Sequence, residues 1–374
     1  MSPPPECWAV ALAHLPAVGP ARLRALLGSV DTPADWERVW TDVRLGRVAT
    51  RCIVHPPSSG AESIRTRWRE AASTIDAEAR WQAHVDAGLT VLVHGRADYP
   101  AALVDDDDPP PIVFVRGDPD ALTGPRVAIV GTRRASRYGI DVARALGADL
   151  ARAGVVVVSG LALGIDGAAH SGVLEAEGAS PVAVVGSGLD RVYPRANRAL
   201  WSQVAERGAV LAEYPLGVPA AAWQFPARNR IIAALSDVVV VVESQFTGGA
   251  LGTAVEAARR GRTVFAVPGP VTAPSSAGTN QLLHDGCPPA RDATDVLVAL
   301  GMSETSVRAE AERRPSPQGD AARVLQSLPW HAVPVEDIVV DTGLSLGAVA
   351  LALDALDVDG WIVQRAGWVE RMAR

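Results

Sequence analysis

Six short runs of branched apolar residues constrain the fold of this chain more than any other feature of its sequence. In chain order they are VAIVG, VVVVSG, PVAVVGSG, AVLAEYP, VVVVVES and TVFAVPG, and they alternate with helix-like segments. Continuous runs of this kind are typical of strands buried on both faces, as in a parallel sheet covered by helices. The sequence therefore predicts an α/β fold over residues 88–300, an extended Rossmann-like, doubly wound and mostly parallel sheet.

Different patterns flank the predicted sheet domain. Residues 1–87 have apolar residues at helical spacing around the break PAVGP, which predicts a helical domain of the SAM or helix-hairpin-helix type. Residues 301–319 contain few apolar residues and predict a linker. Residues 320–374 predict a winged helix, with three short helices followed by a two-stranded ribbon. Its third helix, SLGAVALALDALDVDG, has three aspartates and no arginine, so we expect this module to contact protein or its own core rather than DNA.

Composition narrows the class of protein. The chain of 374 residues has a formal net charge of -7, and all 35 basic residues are arginine. Its 3 cysteines show no metal-ligand spacing, and neither a secretory signal nor an apolar stretch long enough for a membrane span is visible. We therefore expect a cytoplasmic protein with no membrane partner. Locally the charge is reversed, because residues 126–230 contain 12 arginines against 8 acidic residues, a balance of +4.

The residues that follow the predicted strands indicate a phosphate-bearing ligand. Ligands bind at the carboxyl ends of the strands in a doubly wound sheet, where glycine-rich turns form anion-binding concavities and arginines bind phosphates. Phe225 could stack on a base beside these arginines, or it could pack in the core. If the ligand is a single strand of DNA and about five of its phosphates are contacted, the logarithm of the affinity should fall with the logarithm of the salt concentration. The slope of that dependence, the salt slope, would be near -3.5. The predicted DNA-binding residues are Gly131, Thr132, Arg133, Arg134, Ser159, Gly160, Gly186, Gly188, Arg191, Phe225, Arg228, Asn229, Arg230, Gly248 and Gly249.

Enzymatic functions find less support, and we predict no catalytic residue, cofactor or metal. The chain has neither a Walker sequence nor a nicotinamide fingerprint. Asp166 and His170 are four residues apart without a third ligand nearby, so we expect His170 to form a local hydrogen bond rather than bind metal. The alternative to a DNA-binding protein is a nucleotide-binding or nucleoside-monophosphate phosphoribohydrolase-like enzyme on the same fold. The stretch TGGALGTAVE, ending in Glu256, approaches the P-G-G-x-G-T-x-x-E signature of such enzymes, with Thr247 replacing the proline and one extra residue.

Several segments, in this order, resemble the DNA-processing protein A family of bacterial natural transformation: DPPPIVFVRG, VAIVGTRRASRYG, SGLALGIDGAAH, GSGLDRVYPRANRAL, FPARNRIIAALSD and GTNQLLHDG. The resemblance implies a non-enzymatic protein that binds and protects incoming single-stranded DNA. It also implies a homodimer formed through the sheet domain, and loading of the RecA recombinase onto DNA covered by single-strand-binding protein. By this resemblance the turn Gly131–Arg133 and the segment Phe225–Arg230 contact DNA. Leu163 departs from the family pattern, since some relatives have a basic residue at this position. We expect self-association through the edge strand and the helices after Gly261.

Overall fold

The computed structural model describes residues 3–29, 35–49, 61–302, 316–365 and 367–372. The chain forms two compact units, residues 1–302 and residues 303–374. Most of the predicted linker, residues 303–315, lies outside the described residues. The first unit begins with the helices α1 (Pro5–Ala13), α2 (Gly19–Leu27), α3 (Trp36–Arg44), α4 (Ala61–Thr74) and α5 (Ala77–Asp86).

A mixed sheet is the centre of the first unit. Within the described residues it has eight strands in the order β1-β2-β6-β5-β4-β3-β7-β8. The strands from β6 to β8 in this order are parallel, whereas β1 and β2 extend one edge in antiparallel fashion. The predicted mostly parallel sheet is thus confirmed. The strands are β1 (Leu89–Val93), β2 (Ile112–Gly117), β3 (Arg126–Val130), β4 (Val156–Ser159), β5 (Pro181–Val185), β6 (Ala209–Ala212), β7 (Val238–Val241) and β8 (Thr263–Ala266).

Helices cover both faces of this sheet. Alternate residues of one strand therefore point into two different cores. In β5, Ala183 packs in one buried cluster and Val184 in the other. The first cluster also contains Leu12 and Trp68 from the N-terminal helices, so one continuous core crosses the domain boundary predicted near residue 87. The remaining helices of the unit are α6 (Ala101–Val104), α7 (Arg137–Arg152), α8 (Ile165–Glu175), α9 (Arg198–Arg207), α10 (Gln224–Leu235), α11 (Gly249–Arg259), α12 (Ala277–His284) and α13 (Ala293–Ala299).

The strand order places a topological switch between β3 and β7. Starting from β3, the chain adds β4, β5 and β6 on one side and then returns to add β7 and β8 on the other. Segments that leave the carboxyl ends of β3 and β7 therefore diverge and leave a crevice between them, which is where open α/β sheets bind ligands.

The second unit is a winged helix with its own core, which includes Val324, Ile338, Leu353, Leu356 and Val369. Its elements are α14 (Gly319–Ser327), β9 (Val333–Pro334), α15 (Val335–Thr342), α16 (Leu346–Val358), β10 (Ile362–Arg365) and β11 (Trp368–Arg371). The short β9 pairs with β11, so the predicted two-stranded ribbon has a third strand. Across the described residues no single helix is long and apolar enough to cross a membrane; α15 and α16 reach that length and composition only as a pair bent by 112°.

Candidate functional site

An open groove of about 650 Å³ lies at the carboxyl ends of β3 and β7. These strands are hydrogen-bonded neighbours at the topological switch. A smaller cavity of about 40 Å³ shares part of its wall and is also lined by Gly160 and Leu163. The structure thus brings together nine of the residues predicted from sequence: Gly131, Thr132, Arg133, Arg134, Phe225, Arg228, Asn229, Gly248 and Gly249.

Glu243, the second residue after β7, fixes the turn between β3 and α7 through hydrogen bonds. The backbone carbonyl of Glu243 accepts a hydrogen bond from the Thr132 N–H at 2.8 Å. Its buried carboxylate accepts three more, from the N–H of Ser136 at 2.9 Å, from the hydroxyl of Ser136 at 2.5 Å and from the hydroxyl of Ser275 at 3.3 Å. Both ends of the turn are therefore fixed, and Arg133 and Arg134 between them are exposed at the groove. Sequence reasoning missed this role of Glu243.

An aromatic and cationic cluster forms one wall of the groove. The guanidinium carbon of Arg133 lies 4.6 Å from the ring centroid of Phe225, within the range of a cation–π contact. The ring of Tyr193 lies 5.4 Å from that of Phe225 at an interplanar angle of 33°. Phe225 is half-buried, whereas Tyr193 is 47% exposed. Tyr193 is thus the more accessible stacking surface, although the prediction from sequence named only Phe225.

Arg228, which is predicted from sequence to bind DNA, forms the floor of the groove. Its side chain is buried and its guanidinium donates to the carbonyl of Val184. The adjacent buried carboxylate of Asp166 accepts from the N–H of Gly160 at 3.2 Å. Burial lowers the pKa of Arg228 to about 10, although the nearby charge of Asp166 acts to raise it. Burial raises the pKa of Asp166. A Cβ at position 160 would overlap the Arg228 guanidinium, so this glycine leaves room for it.

Arg230, which is also predicted from sequence to bind DNA, lies outside the groove lining. Its Nη2 pairs with Glu213, and its Nε lies 3.1 Å from an Asp108 carboxylate oxygen. Its Nη1 also donates to the Asp108 carbonyl at 2.9 Å. Because successive residues of a helix differ by about 100° in direction, Arg228, Asn229 and Arg230 on α10 point to different surroundings. Only Arg228 and Asn229 line the groove.

Most of the backbone amides predicted to bind phosphate already have acceptors inside the protein. The N–H groups of Thr132, Gly160, Gly188 and Gly248 all donate to protein oxygens. Ser159 is buried and its hydroxyl donates to the Ile129 carbonyl at 2.6 Å. Gly186 and Gly188 are also buried, and Arg191 pairs with Asp190 outside the groove. The exposed or half-buried predicted residues that remain at the groove are Gly131, Thr132, Arg133, Arg134, Phe225, Asn229, Gly248 and Gly249.

The acidic and histidine residues considered for catalysis are buried or already paired. His170 is fully buried and neither ring nitrogen has a hydrogen-bond partner, so the predicted local hydrogen bond is wrong. Burial, with a smaller effect of Arg228, lowers the pKa of His170 to about 3. Glu256 lies outside the groove lining and pairs with Arg259 at 3.1 Å and Arg260 at 2.6 Å. No group of three potential metal ligands occurs in the part of the chain that the structure describes.

Comparisons with known proteins agree with this architecture. The family model of DNA recombination-mediator protein A matches residues 90–301, and that of the DprA winged helix domain matches residues 308–367. Protein Smf of Escherichia coli K12 is 36% identical over 283 residues, covering 74% of this chain and 75% of the relative. The putative DNA processing protein DprA of Mycobacterium tuberculosis is 40% identical over 262 residues, covering 66% and 67%.

Two solved structures are also similar. DNA processing protein A of Streptococcus pneumoniae has a TM-score of 0.63 at 28% identity, covering 79% of this chain and 98% of the other. DNA processing protein A of Helicobacter pylori, for which a single-stranded DNA binding mode is described, has a TM-score of 0.52 at 31% identity. The match covers 57% of this chain and 95% of the other.

Proposed function

Because this chain belongs to the DNA recombination-mediator protein A family, whose model spans residues 90–301, we propose that it binds single-stranded DNA in the groove between β3 and β7. The protein acts there as a recombination mediator that protects the strand. Phosphates contact the exposed arginines of the β3–α7 turn, and bases stack on the aromatic wall.

The observation that carries this proposal is the contact of Arg133 with Phe225, with Tyr193 beside it. Cationic side chains that alternate with aromatic rings along an open groove suit single strands, because every base has a face that can stack and every nucleotide has a phosphate. The groove lies at the topological switch, and the N-terminus of the 11-residue helix α11 opens into it through Gly249. The partial positive charge of a helix N-terminus also favours phosphate.

We also propose the partners that the resemblance to this family implies. The protein loads the RecA recombinase onto DNA covered by single-strand-binding protein, works in the cytoplasm, and forms a homodimer through the sheet domain. The edge strand β8 and the helices after it are the proposed self-association surface. Loading predicts that adding the protein shortens the lag before RecA recombinase hydrolyses ATP on covered DNA. An unchanged lag at saturating protein would contradict loading but not DNA binding.

DNA binding is tested by fluorescence anisotropy of a labelled oligothymidine, with a duplex of equal length as comparison. Arg133→Ala should weaken single-strand binding. Arg152→Ala is the matched control, because it removes the same charge from the last residue of α7, at the other end of that helix from the β3–α7 turn. Equal affinities for Arg133→Ala and wild type would rule out the proposed groove. No binding by the wild type at low salt would contradict the function itself.

A further inference from the structure

Helix α16 of the winged helix is apolar on two opposite sides, but the structure covers only one of them. Val349, Leu353 and Leu356 are buried in the core of this unit. On the remaining surface Leu351 is 75% exposed and Val358 is 80% exposed. A helix that is apolar all round is normally buried all round. The exposed side therefore has the composition of an interface.

The exposed apolar residues form a continuous stripe. Gly347, Leu351, Ala355 and Val358 follow one another at intervals of four, four and three residues, and all are exposed. Residues at these intervals lie above one another on one helix face. We call these four residues the outer stripe. From its first to its last residue it is about 16 Å long, at about 1.5 Å per residue, which is the length of roughly three turns of a second helix.

Negative charges lie beside the outer stripe and are poorly placed for an isolated helix. Asp354 and Asp357 are exposed in the last two turns of α16, and Asp359 follows the helix, which contains no basic residue. Carboxylates near a helix C-terminus are destabilising, because the helix dipole is negative there. A cationic partner at this end would offset that repulsion.

The charge of the whole module selects among possible partners. Residues 320–374 contain 4 arginines against 8 acidic residues, a balance of -4. DNA is repelled by such a surface, and a second copy of the module would carry the same negative charge. A partner with positive charges around an apolar face is the complementary chemistry.

We propose that the outer stripe binds a basic amphipathic helix of a partner protein. Apolar side chains of that helix pack on Leu351 and Val358, and its arginines or lysines pair with Asp354 and Asp357. This is the helix-docking mode of recognition, in which residues at positions i, i+4 and i+7 anchor the contact. The winged helix is then a protein-docking module, separate in function from the DNA groove of the first unit.

The test uses the full chain and a synthetic peptide of about 18 residues, with leucines on one helical face and arginines elsewhere. Its binding is followed by anisotropy of a fluorescent label. We expect Leu351→Asp to weaken binding about tenfold or more. This variant adds negative charge, so attraction by charge alone would strengthen binding instead. Val340→Asp is the matched control, because Val340 is 79% exposed on α15 and outside the stripe, and it should bind the peptide at least as well as wild type.

Further variants and a control peptide complete the test. Replacing Asp354 and Asp357 together by asparagine should weaken binding at low salt and reduce its salt dependence. A control peptide with glutamates in place of arginines should not bind. Leu351→Gln tests the apolar contact again without adding charge, and far-UV circular dichroism confirms that each variant is folded.

Three outcomes would overturn the proposal. They are failure of the leucine–arginine peptide to bind wild type, equal or tighter binding by Leu351→Asp, and concentration-dependent self-association of the chain that Leu351→Asp abolishes. The last outcome would assign the outer stripe to a second copy. Oligothymidine affinity should stay unchanged in all these variants, so failure of the docking surface is distinguishable from failure of DNA binding.

Discussion

The carboxylate of Glu243, just after β7, accepts hydrogen bonds from both the backbone N–H and the hydroxyl of Ser136, at 2.9 Å and 2.5 Å. Ser136 is also the N-cap of α7, because its hydroxyl oxygen accepts from the N–H of Gly139 at 3.1 Å. One serine therefore joins the two strands of the topological switch and starts the helix that follows the arginine turn. Together with the hydrogen bond from the Thr132 N–H to the Glu243 carbonyl, this contact fixes the turn that carries Arg133 and Arg134.

Ser136→Ala should weaken single-strand binding several-fold without changing the salt slope, because it loosens the turn but removes no charge. Stability should fall by about 1 kcal/mol through loss of the helix cap. The measurements are oligothymidine anisotropy at several salt concentrations and urea unfolding. Ser345→Ala is the matched control, since Ser345 caps α16 in the other unit. A flattened salt slope in Ser136→Ala would show that the serine acts by some means other than positioning the turn.

The structure lowers the salt dependence that is expected for DNA binding. Arg228 and Arg230 are engaged inside the protein, which leaves Arg133 and Arg134 as the exposed arginines of the groove lining. Two phosphate contacts give a slope near -1.4, at about 0.7 per phosphate, in place of the -3.5 expected for five. Substituting both exposed arginines by alanine should bring the slope close to zero, whereas Arg152→Ala should leave it unchanged. A wild-type slope near -3.5 would mean that further arginines reach the strand.

Tyr193→Ala should weaken single-strand binding by about 1–3 kcal/mol, the range for loss of one stacked base. Tyr193→Phe keeps the ring and should retain most of the affinity. The difference should persist at high salt, because stacking is not screened as phosphate contacts are. Equal losses in the two variants would show that the hydroxyl, rather than the ring, makes the contact.

Arg230→Ala should destabilise the fold and leave the DNA affinity of the folded protein unchanged. The Arg230 side chain is 11% exposed and that of Glu213 is 3% exposed, and removing one partner of a buried pair costs about 3–5 kcal/mol. The measurements are urea unfolding and oligothymidine anisotropy. A large loss of affinity in folded protein would return Arg230 to the DNA site.

The same variant makes a prediction about pH. Burial raises the pKa of Glu213 even with Arg230 beside it, and removing the guanidinium removes the largest effect that lowers this pKa. A carboxyl group whose pKa is higher in the folded than in the unfolded state makes stability fall as pH rises between the two values. The destabilisation by Arg230→Ala should therefore be larger at about pH 8 than at about pH 5. An equal loss at both values would mean that Glu213 is already neutral in the folded wild type.

The sequence by itself was sufficient for the sheet, the winged helix and the edge of the sheet at which the groove lies. Runs such as Val238–Val242 are buried on both faces in any parallel sheet, so their local composition already determines their place. The order of strands then brings the residues after β3 and β7 together, because the carboxyl ends of neighbouring parallel strands lie at the same end of the sheet.

Only the tertiary structure decided which side chains are available at that edge. Arg228 and Arg230 are two residues apart in one motif, yet one lies under the groove and the other pairs with Glu213 and Asp108. Their partners come from distant segments, and no local pattern encodes such contacts. The same holds for Tyr193 beside Phe225, which packing of the loop between β5 and α9 against the first turn of α10 brings together. Burial is read from composition, but the direction of each side chain is set by what the rest of the chain packs against it.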